Sequence, residues 1–550
     1  MKKMKRILAL AVSSVLALGT MSACTGTGTT GNETGGGSSD APKVLNWFAA
    51  GEVTTMDSGK TYDVISQEQV TYQNDTLYLI DSSNKAVPSL ARELPKISDD
   101  GLTATLTIRD DAKYSNGDPI TAADIVYAAR RVVDPATGSQ SAENLNFIKN
   151  AQDIVDGKLA PEELGIKATS DYDLEITLSA PSAFLNTSLS TTLLSPVNQK
   201  FVEEKGDQYA LTADNLLSSG PYILKGWNGT DISWKYEKNP NFWDAKDIYF
   251  DTINIQVIKE VATGVNLYEA GTLDGVAVTG DYVSLYRDKP DLVTVQTLRM
   301  TNLEMGISSN PLLQNLNLRK ALLFAVDRDE LAKSILNGDG SPAYGVVPNG
   351  IATNPDNNKS INDDFGKLVY TDIPEAQRLF AEALKELGKD SITLRLVTSD
   401  SDESIKVGQY LQSAYETNLP GLKIDLANVP ASVRFDEMMS FQFDLALGGW
   451  TGEYDPASYV KQFEASFPHN HAQWKSQEIT DLIHSLENTD GVDYPLRWKH
   501  VKEGNQYLID NAVVVPLVQA ASSALVNPKL KGYVTHVLNT PIDVTRAHFE

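Results

Sequence analysis

The chain has almost no cysteine. Cys24 is the only one among 550 residues, so no intramolecular disulfide is available and burial and hydrogen bonding must hold the fold. Basic residues are in deficit, 47 Lys and Arg against 72 Asp and Glu, and the formal net charge of -25 excludes nucleic acid as a partner, which needs basic surface to displace counterions. The six histidines all lie late, at His469, His471, His484, His500, His536 and His548. Their nearest cluster is "HNH" at His469 to His471, and with no HExxH and no paired cysteines it reads as an exposed polar loop; no metal or other cofactor is expected. There is no G-x-S-x-G elbow and no Walker loop, so a hydrolase reading finds no activated nucleophile. "SDSDES" (Ser399 to Ser404) lacks the glycine and final glutamate of a calcium loop and caps the following helix instead. No repeat of 20–50 residues suggests a solenoid.

What is present begins with a leader. Lys2, Lys3, Lys5 and Arg6 precede an apolar run from Ile7 to Leu18. A spanning helix needs roughly 20 apolar residues, so residues 1–23 are read as a secretion signal. Its removal takes four basic residues with it, from -25 to -29. The signal ends in Met21-Ser22-Ala23-Cys24, which resembles a bacterial lipobox, so Cys24 is the expected lipidation site. "TGTGTTGNETGGGSSDA" follows, with a G-x-G-x-x-G spacing at Gly26, Gly28 and Gly31. No strand precedes it and no helix follows, so a phosphate-binding turn is excluded. A run of this kind is a flexible coil about 20–25 Å across, and residues 24–43 are read as a lipidated tether.

The body has the length of two or three domains and an ordinary globular composition. Leu102, Ala104, Leu106 and Ile108 alternate with threonines as in a half-buried strand, and a turn follows at Asn116-Gly117. A helix is expected from Thr121, its cap, with Asp124 at the box position and Ile125, Ala128, Ala129 and Val132 on one face. Another is expected across "KALLFAVDRDELAKSILNGDG", stopped at Gly338. From Ile392 the pattern alternates: a strand at 392–396, a helix at 404–417, a strand at 422–429, a helix at 432–440 and a strand at 443–450. That order implies parallel neighbours in an α/β sheet.

The last strand runs into "FDLALGGWTGEYDPASYV". Ligands of open α/β sheets lie beyond the carboxyl ends of the strands, and Gly448 and Gly449 would let another backbone approach. The plainer alternative is that the glycines end a strand, Trp450 is core and Glu453 is a solvated loop acid.

Five segments in order resemble the extracytoplasmic solute-binding proteins, family 5, of peptide ABC importers, and the oligopeptide-binding lipoproteins in particular. They are "KYSNGDPITAADIVYAARRVVDPATGS", "DGKLAPEELGIKATSDYDLEITLSAP", "SSGPYILKGWNGTDISWKYEKNPNFWDA" with "YEAGTLDG", "NLRKALLFAVDRDELA", and the segment around Trp450, which looks like the family's G-W-x-x-D-Y-x-D-P. The resemblance implies an α/β, two-lobed periplasmic-binding-protein-like fold (type II, cluster C) with an additional domain on the first lobe. By analogy lobe I takes residues 44–75, 195–305 and 519–550, the extra domain 76–194, and lobe II 306–518.

It also implies a function: a monomeric, non-enzymatic lipoprotein on the outer face of a bacterial cytoplasmic membrane, held there by its lipid alone. Such a protein captures oligopeptides between its lobes and hands them to the transmembrane permease subunits of an ABC transporter. Tyr62, Asp63 and Val64 would supply backbone on one lobe and Gly449, Trp450 and Thr451 on the other, so that an extended peptide adds as a strand. Glu453 stands where the family carries an Asp for the ligand's amine, with one residue fewer between Tyr454 and Pro456, and Asp455 is the alternative. Leu447 stands where some oligopeptide binders carry a basic residue facing the carboxyl end of short peptides. Relatives that bind peptide pheromones, nickel complexes, haem or oligosaccharides are the alternatives for the ligand.

Overall fold

The structure, a computed structural model, describes residues 42–467, 469–488, 490–538 and 540–550. The secretion signal, Cys24 and the tether up to Ala41 lie outside the described residues. Among the described residues no helix is long and apolar enough to cross a membrane.

Strand β1 (Val44–Ala49) turns Leu45, Trp47 and Ala49 inward. Helix α1 (Val64–Thr71) follows, capped by Asp63, whose carboxylate accepts the Ser66 N–H at 2.8 Å. The chain then builds a separate module. In it, β2 (Thr103–Thr107) is the alternating segment, with Ala104 and Leu106 buried, and Gly117 makes the expected turn at φ +93°. Helix α2 (Ala122–Val133) starts where the cap residues place it. The Thr121 N–H and hydroxyl both donate to Asp124, at 2.7 and 2.9 Å, and Ile125, Ala128, Ala129 and Val132 are all buried. Strand β3 (Asp173–Thr177) pairs antiparallel with β2. The module has its own core, drawn from Leu77 to Leu194.

Strands β4 (Tyr222–Lys225), β5 (Ser233–Lys238) and β6 (Thr252–Val257) join β1 in a four-stranded sheet of order β1-β6-β5-β4. Its core combines Leu45, Trp47, Tyr222, Trp234, Phe250 and Ile255 with residues near the chain's end, from Ala524 to Ala547. The module is fixed to this side by polar contacts. Arg131 grips Asp57 through two bonds of 2.5 and 2.8 Å, and Arg109 lies 3.6 Å over the ring of Trp243, which is itself held by its indole donating to Asp75 at 2.8 Å within the first lobe.

The larger sheet contains β7 (Gly275–Val278), β8 (Leu292–Met305), β9 (Ile392–Ser399), β10 (Leu422–Val429), β11 (Leu445–Thr451) and β12 (Val514–Val526), in the order β7-β12-β8-β11-β9-β10. Helix α3 (Asp402–Asn418) joins β9 to β10 and α4 (Ala431–Met439) joins β10 to β11. The alternation expected from Ile392 onward is therefore present, and β9 runs parallel to both β10 and β11. Helix α5 (Tyr494–Asp510) leads back into β12.

The helix expected across residues 320–338 is interrupted. It runs from Leu316 to Phe324, restarts at Arg328 under an Asp327 cap and finishes as a π turn at Leu331–Ile335. The cause is Arg328. Its buried guanidinium takes the carbonyls of Leu323 and Val326, as well as that of Pro516.

Two lobes share this sheet. Leu292 to Gln296 of β8 pair with residues 521–525, and Met300 to Glu304 pair with residues 514–519, with a register break between Gln296 and Met300. From Leu298 onward the side chains belong to a core that runs to Val518. The lobes are thus joined by continuous strands whose ladder is interrupted where they cross, the kind of place that absorbs a hinge rotation.

Candidate functional site

Strand β11 is deserted by one neighbour before the other. β9 pairs only with Leu445 and Ala446, whereas β8 stays alongside as far as Thr451. Among the described residues no strand covers Leu447–Thr451 on the β9 side; Arg434 of α4 donates to the Leu447 carbonyl there at 2.8 Å. Backbone groups alternate between a strand's two edges. With the Leu447 carbonyl on the open edge, Gly449 and Thr451 present theirs to that edge as well. Trp450 turns its backbone toward Met300 of β8 and contributes its ring.

The paired glycines do permit close approach, but by the chain's own parts. A Cβ on Gly449 would sit 2.3 Å from the Met300 carbonyl oxygen, and one on Gly448 would sit 2.6 Å from Glu304 Cγ and 2.8 Å from Met438 Cε. The half-buried Trp450 ring contacts Phe467 and His469 at centroid distances of 5.5 and 5.7 Å. His471 is 5.8 Å from His469, and its Nδ1 lies 3.4 Å from Glu304, both side chains buried. Burial, and next the neighbouring His471, lower the His469 pKa, so its ring is neutral at pH 7. Among the described residues the Asn302 amide, His471 Nε2 and the Trp450 indole nitrogen have no hydrogen-bond partner, so this wall holds polar capacity the protein itself does not use.

Beyond β11 the chain turns outward. The Gly452 N–H donates to the Tyr459 hydroxyl at 3.0 Å and the Glu453 N–H to Ser458 at 3.2 Å. The Glu453 side chain is exposed, yet its carboxylate has no hydrogen-bond or ion-pair partner among the described residues. Although solvent reaches it, the surrounding protein raises its pKa above the ordinary carboxylate range, and the Asp455 charge adds to the rise. Asp455 is differently placed: it forms an ion pair with the buried Arg497 and accepts the Ala457 N–H at 2.9 Å.

On the first lobe, Tyr62 and Val64 are 49% and 53% exposed, unusual for residues of their size. Asp63 between them is occupied as the α1 cap. Burial alone would raise its pKa, but the Thr54 hydroxyl at 2.6 Å and the Ser66 N–H outweigh this and hold it low. The Thr61 carbonyl accepts from Ser141 of the middle module at 2.7 Å. Two residues further, Glu143 acts electrostatically on His469, which packs on Trp450. Among the described residues no group of three or more His, Cys, Asp or Glu could hold a metal.

The pairings that distinguish these residues could not be read from the chain. Arg497 lies 42 residues from Asp455, Glu304 lies 167 from His471, and no local pattern marks Arg434 as the side chain that fills the split between β9 and β11.

Two lobes joined through shared strands, with one strand edge of the larger sheet left unpaired, are the architecture of a solute-binding protein. The family described as bacterial extracellular solute-binding proteins, family 5, matches residues 85–469, and the chain belongs to it. It is 30% identical over 534 residues to the dipeptide-binding protein of Lactococcus lactis subsp. cremoris, covering 94% of this chain and 96% of the relative. Two solved structures are similar throughout. Listeria monocytogenes OppA bound to peptide has 33% identity and a TM-score of 0.74, with 93% of this chain and 99% of that one covered. The pheromone receptor PrgZ has 34% identity and a TM-score of 0.75, with 93% and 100% covered.

Proposed function

We propose that this protein captures peptides outside the cell and holds them by their main chain and amino terminus. The observation that carries the reading is the open edge of β11 ending at an unpartnered carboxylate, Glu453. The N–H and C=O groups of Gly449 and Thr451 offer a guest strand hydrogen bonds that every peptide can make. A carboxylate with no hydrogen-bond or ion-pair partner and a raised pKa favours a cation beside it, and a peptide with a free amino terminus brings one. Asp455 is already neutralised by Arg497, so the amine falls to Glu453. Tyr62 and Val64 cover the guest from the other lobe, while Asp63 holds the α1 end in place. Relatives that bind dipeptides and oligopeptides support this reading, and the likeness to PrgZ favours a peptide signal as the second choice of guest.

The same reading makes the protein a monomeric, non-enzymatic receptor. It is tethered to the outer face of the cytoplasmic membrane through lipidated Cys24 and delivers its guest to the permease subunits of an ABC importer. Residues 44–75, 195–297 and 519–550 form the first lobe, 76–194 the extra domain and 298–518 the second lobe. The break in β8 and the change of core membership beside it support starting the second lobe at 298 rather than at the 306 expected by analogy. Calorimetry with a mixed peptide library tests the function. Binding is expected, and acetylating the amine of a good ligand or making Glu453→Gln should each weaken it roughly ten- to a hundredfold, the worth of a charge-assisted hydrogen bond. Equal affinity for the acetylated peptide would refute the amine assignment.

A further inference from the structure

The middle module is bound to the two lobes in different ways. Its attachment to the first lobe is made by the Arg131–Asp57 pair, Arg109 on Trp243 and Ser141 on the Thr61 carbonyl. Its contacts with the second lobe are made by loop tips. Pro181 packs against Gly491 so closely that a Cβ on Gly491 would sit 2.4 Å from the Pro181 carbonyl oxygen. A Cβ on Gly101 would sit 2.7 Å from Val492 and 3.0 Å from Pro181. The Phe184 ring meets Tyr494 edge-on at 5.4 Å. Further along the cleft, the Asn84 amide donates to the Gly350 carbonyl at 3.1 Å. The second lobe presents its tip on a firm support, because His500 of α5 holds Asp490 at 2.6 Å and Asp493 caps the helix at the Leu496 N–H. The contact lies near the Glu453 loop, since Arg497, one turn along α5 from Tyr494, pairs with Asp455.

We propose that this module is a clasp. It moves with the first lobe, grips the Gly491–Tyr494 tip when the lobes shut, and seals the cleft at the Glu453 end. The groove is then blind on that side, so only a guest whose chain begins at Glu453 lets the clasp engage. The module thus sets both the closing equilibrium and the demand for an unextended amino terminus. Gly491 and Gly101 let Pro181 and Val492 pack directly against the opposite backbone, which a side chain at either glycine would block.

The clasp rests on the peptide reading only for the identity of the sealed end, and two measurements keep the questions apart. In the full chain in detergent, spin labels at Ala168→Cys and Glu478→Cys report the distance between module and second lobe. Gly491→Val should shift that distribution toward the open state, while the unfolding midpoint of the ligand-free protein stays within a degree or two. An unchanged distribution in a folded Gly491→Val protein would overturn the clasp. Phe184→Ala, which adds no bulk, gives a milder opening and serves if Gly491→Val does not fold. The second measurement compares one peptide carrying an acetyl group with the same peptide carrying a dansyl group on its amine, both uncharged there. Wild type should bind the dansyl form at least tenfold more weakly, and Phe184→Ala should bring the ratio below threefold; the same ratio in both proteins would remove the sealed end. If wild type binds no peptide at all, the peptide reading falls and with it the sealed end, and the distance measurement still decides the clasp.

Discussion

Glu453 and Asp455 are two acids in one loop with opposite fates, and the difference is electrostatic. Arg497 pairs with Asp455, whereas Glu453 has no ion-pair partner among the described residues and feels Lys461 only at a distance. The raised Glu453 pKa fixes the sign of two effects. In the empty protein the group favours folding at pH values below its unfolded pKa and loses that contribution as pH rises through the folded value, so at neutral pH its charge is a burden. Bound to an ammonium group the same charge becomes useful. Peptide affinity is therefore expected to fall on acidification, starting at a higher pH than an ordinary carboxylate would dictate, and Glu453→Gln should flatten the profile; calorimetry across a pH series checks both.

Glu68 on α1 offers a parallel case without a ligand. Burial and the nearby Asp543 push its pKa up to about 8. It is protonated and favourable below that value, and its contribution is lost as pH rises through it. Glu68→Gln should raise the thermal midpoint at pH 9 and leave it nearly unchanged at pH 6, as differential scanning calorimetry would record. The chemical type of the site was open to a reader of the chain, because Trp450, the glycines and Glu453 lie within a few residues of one another. The choice between the two acids was not, because it depends on an arginine brought in from α5.

Among the elements, those made by near neighbours were legible and those made by distant ones were not. The cap at Thr121, the buried face of α2 and the alternation from β9 to β11 each follow from side-chain period and local hydrogen bonding. The crossing of β8 and β12 does not, because its pairing joins residues more than 200 apart, and the break at Gln296 has no sequence mark. Equally invisible is the Asp57–Arg131 grip, 74 residues apart. Both side chains are nearly buried, 5% and 13% exposed, so removing one partner leaves an uncompensated charge. Arg131→Ala is expected to cost about 3–5 kcal/mol. Urea unfolding should show this, with a second transition if the middle module then melts apart from its lobe.

At the scale of the whole molecule, the charge of -25 repels anionic surfaces, so the proposed attachment to the membrane would rest on the lipid at Cys24 rather than on attraction. Metabolic labelling with palmitate should mark the protein and fail for Cys24→Ser; an unlabelled wild type would remove the anchor from the account. The lobe division bears on assembly as well. The second lobe's core is one contiguous stretch from Leu298 to Val518, whereas the first draws on both ends of the body, Leu45 to Ile255 and Ala524 to Ala547. A ribosome delivers the amino end first, so the half that begins earlier must finish later and wait with Trp47 and Phe250 uncovered until the last strand arrives. A chain stopped just short of Ala524 should therefore keep a protease-resistant second half while its first half is digested.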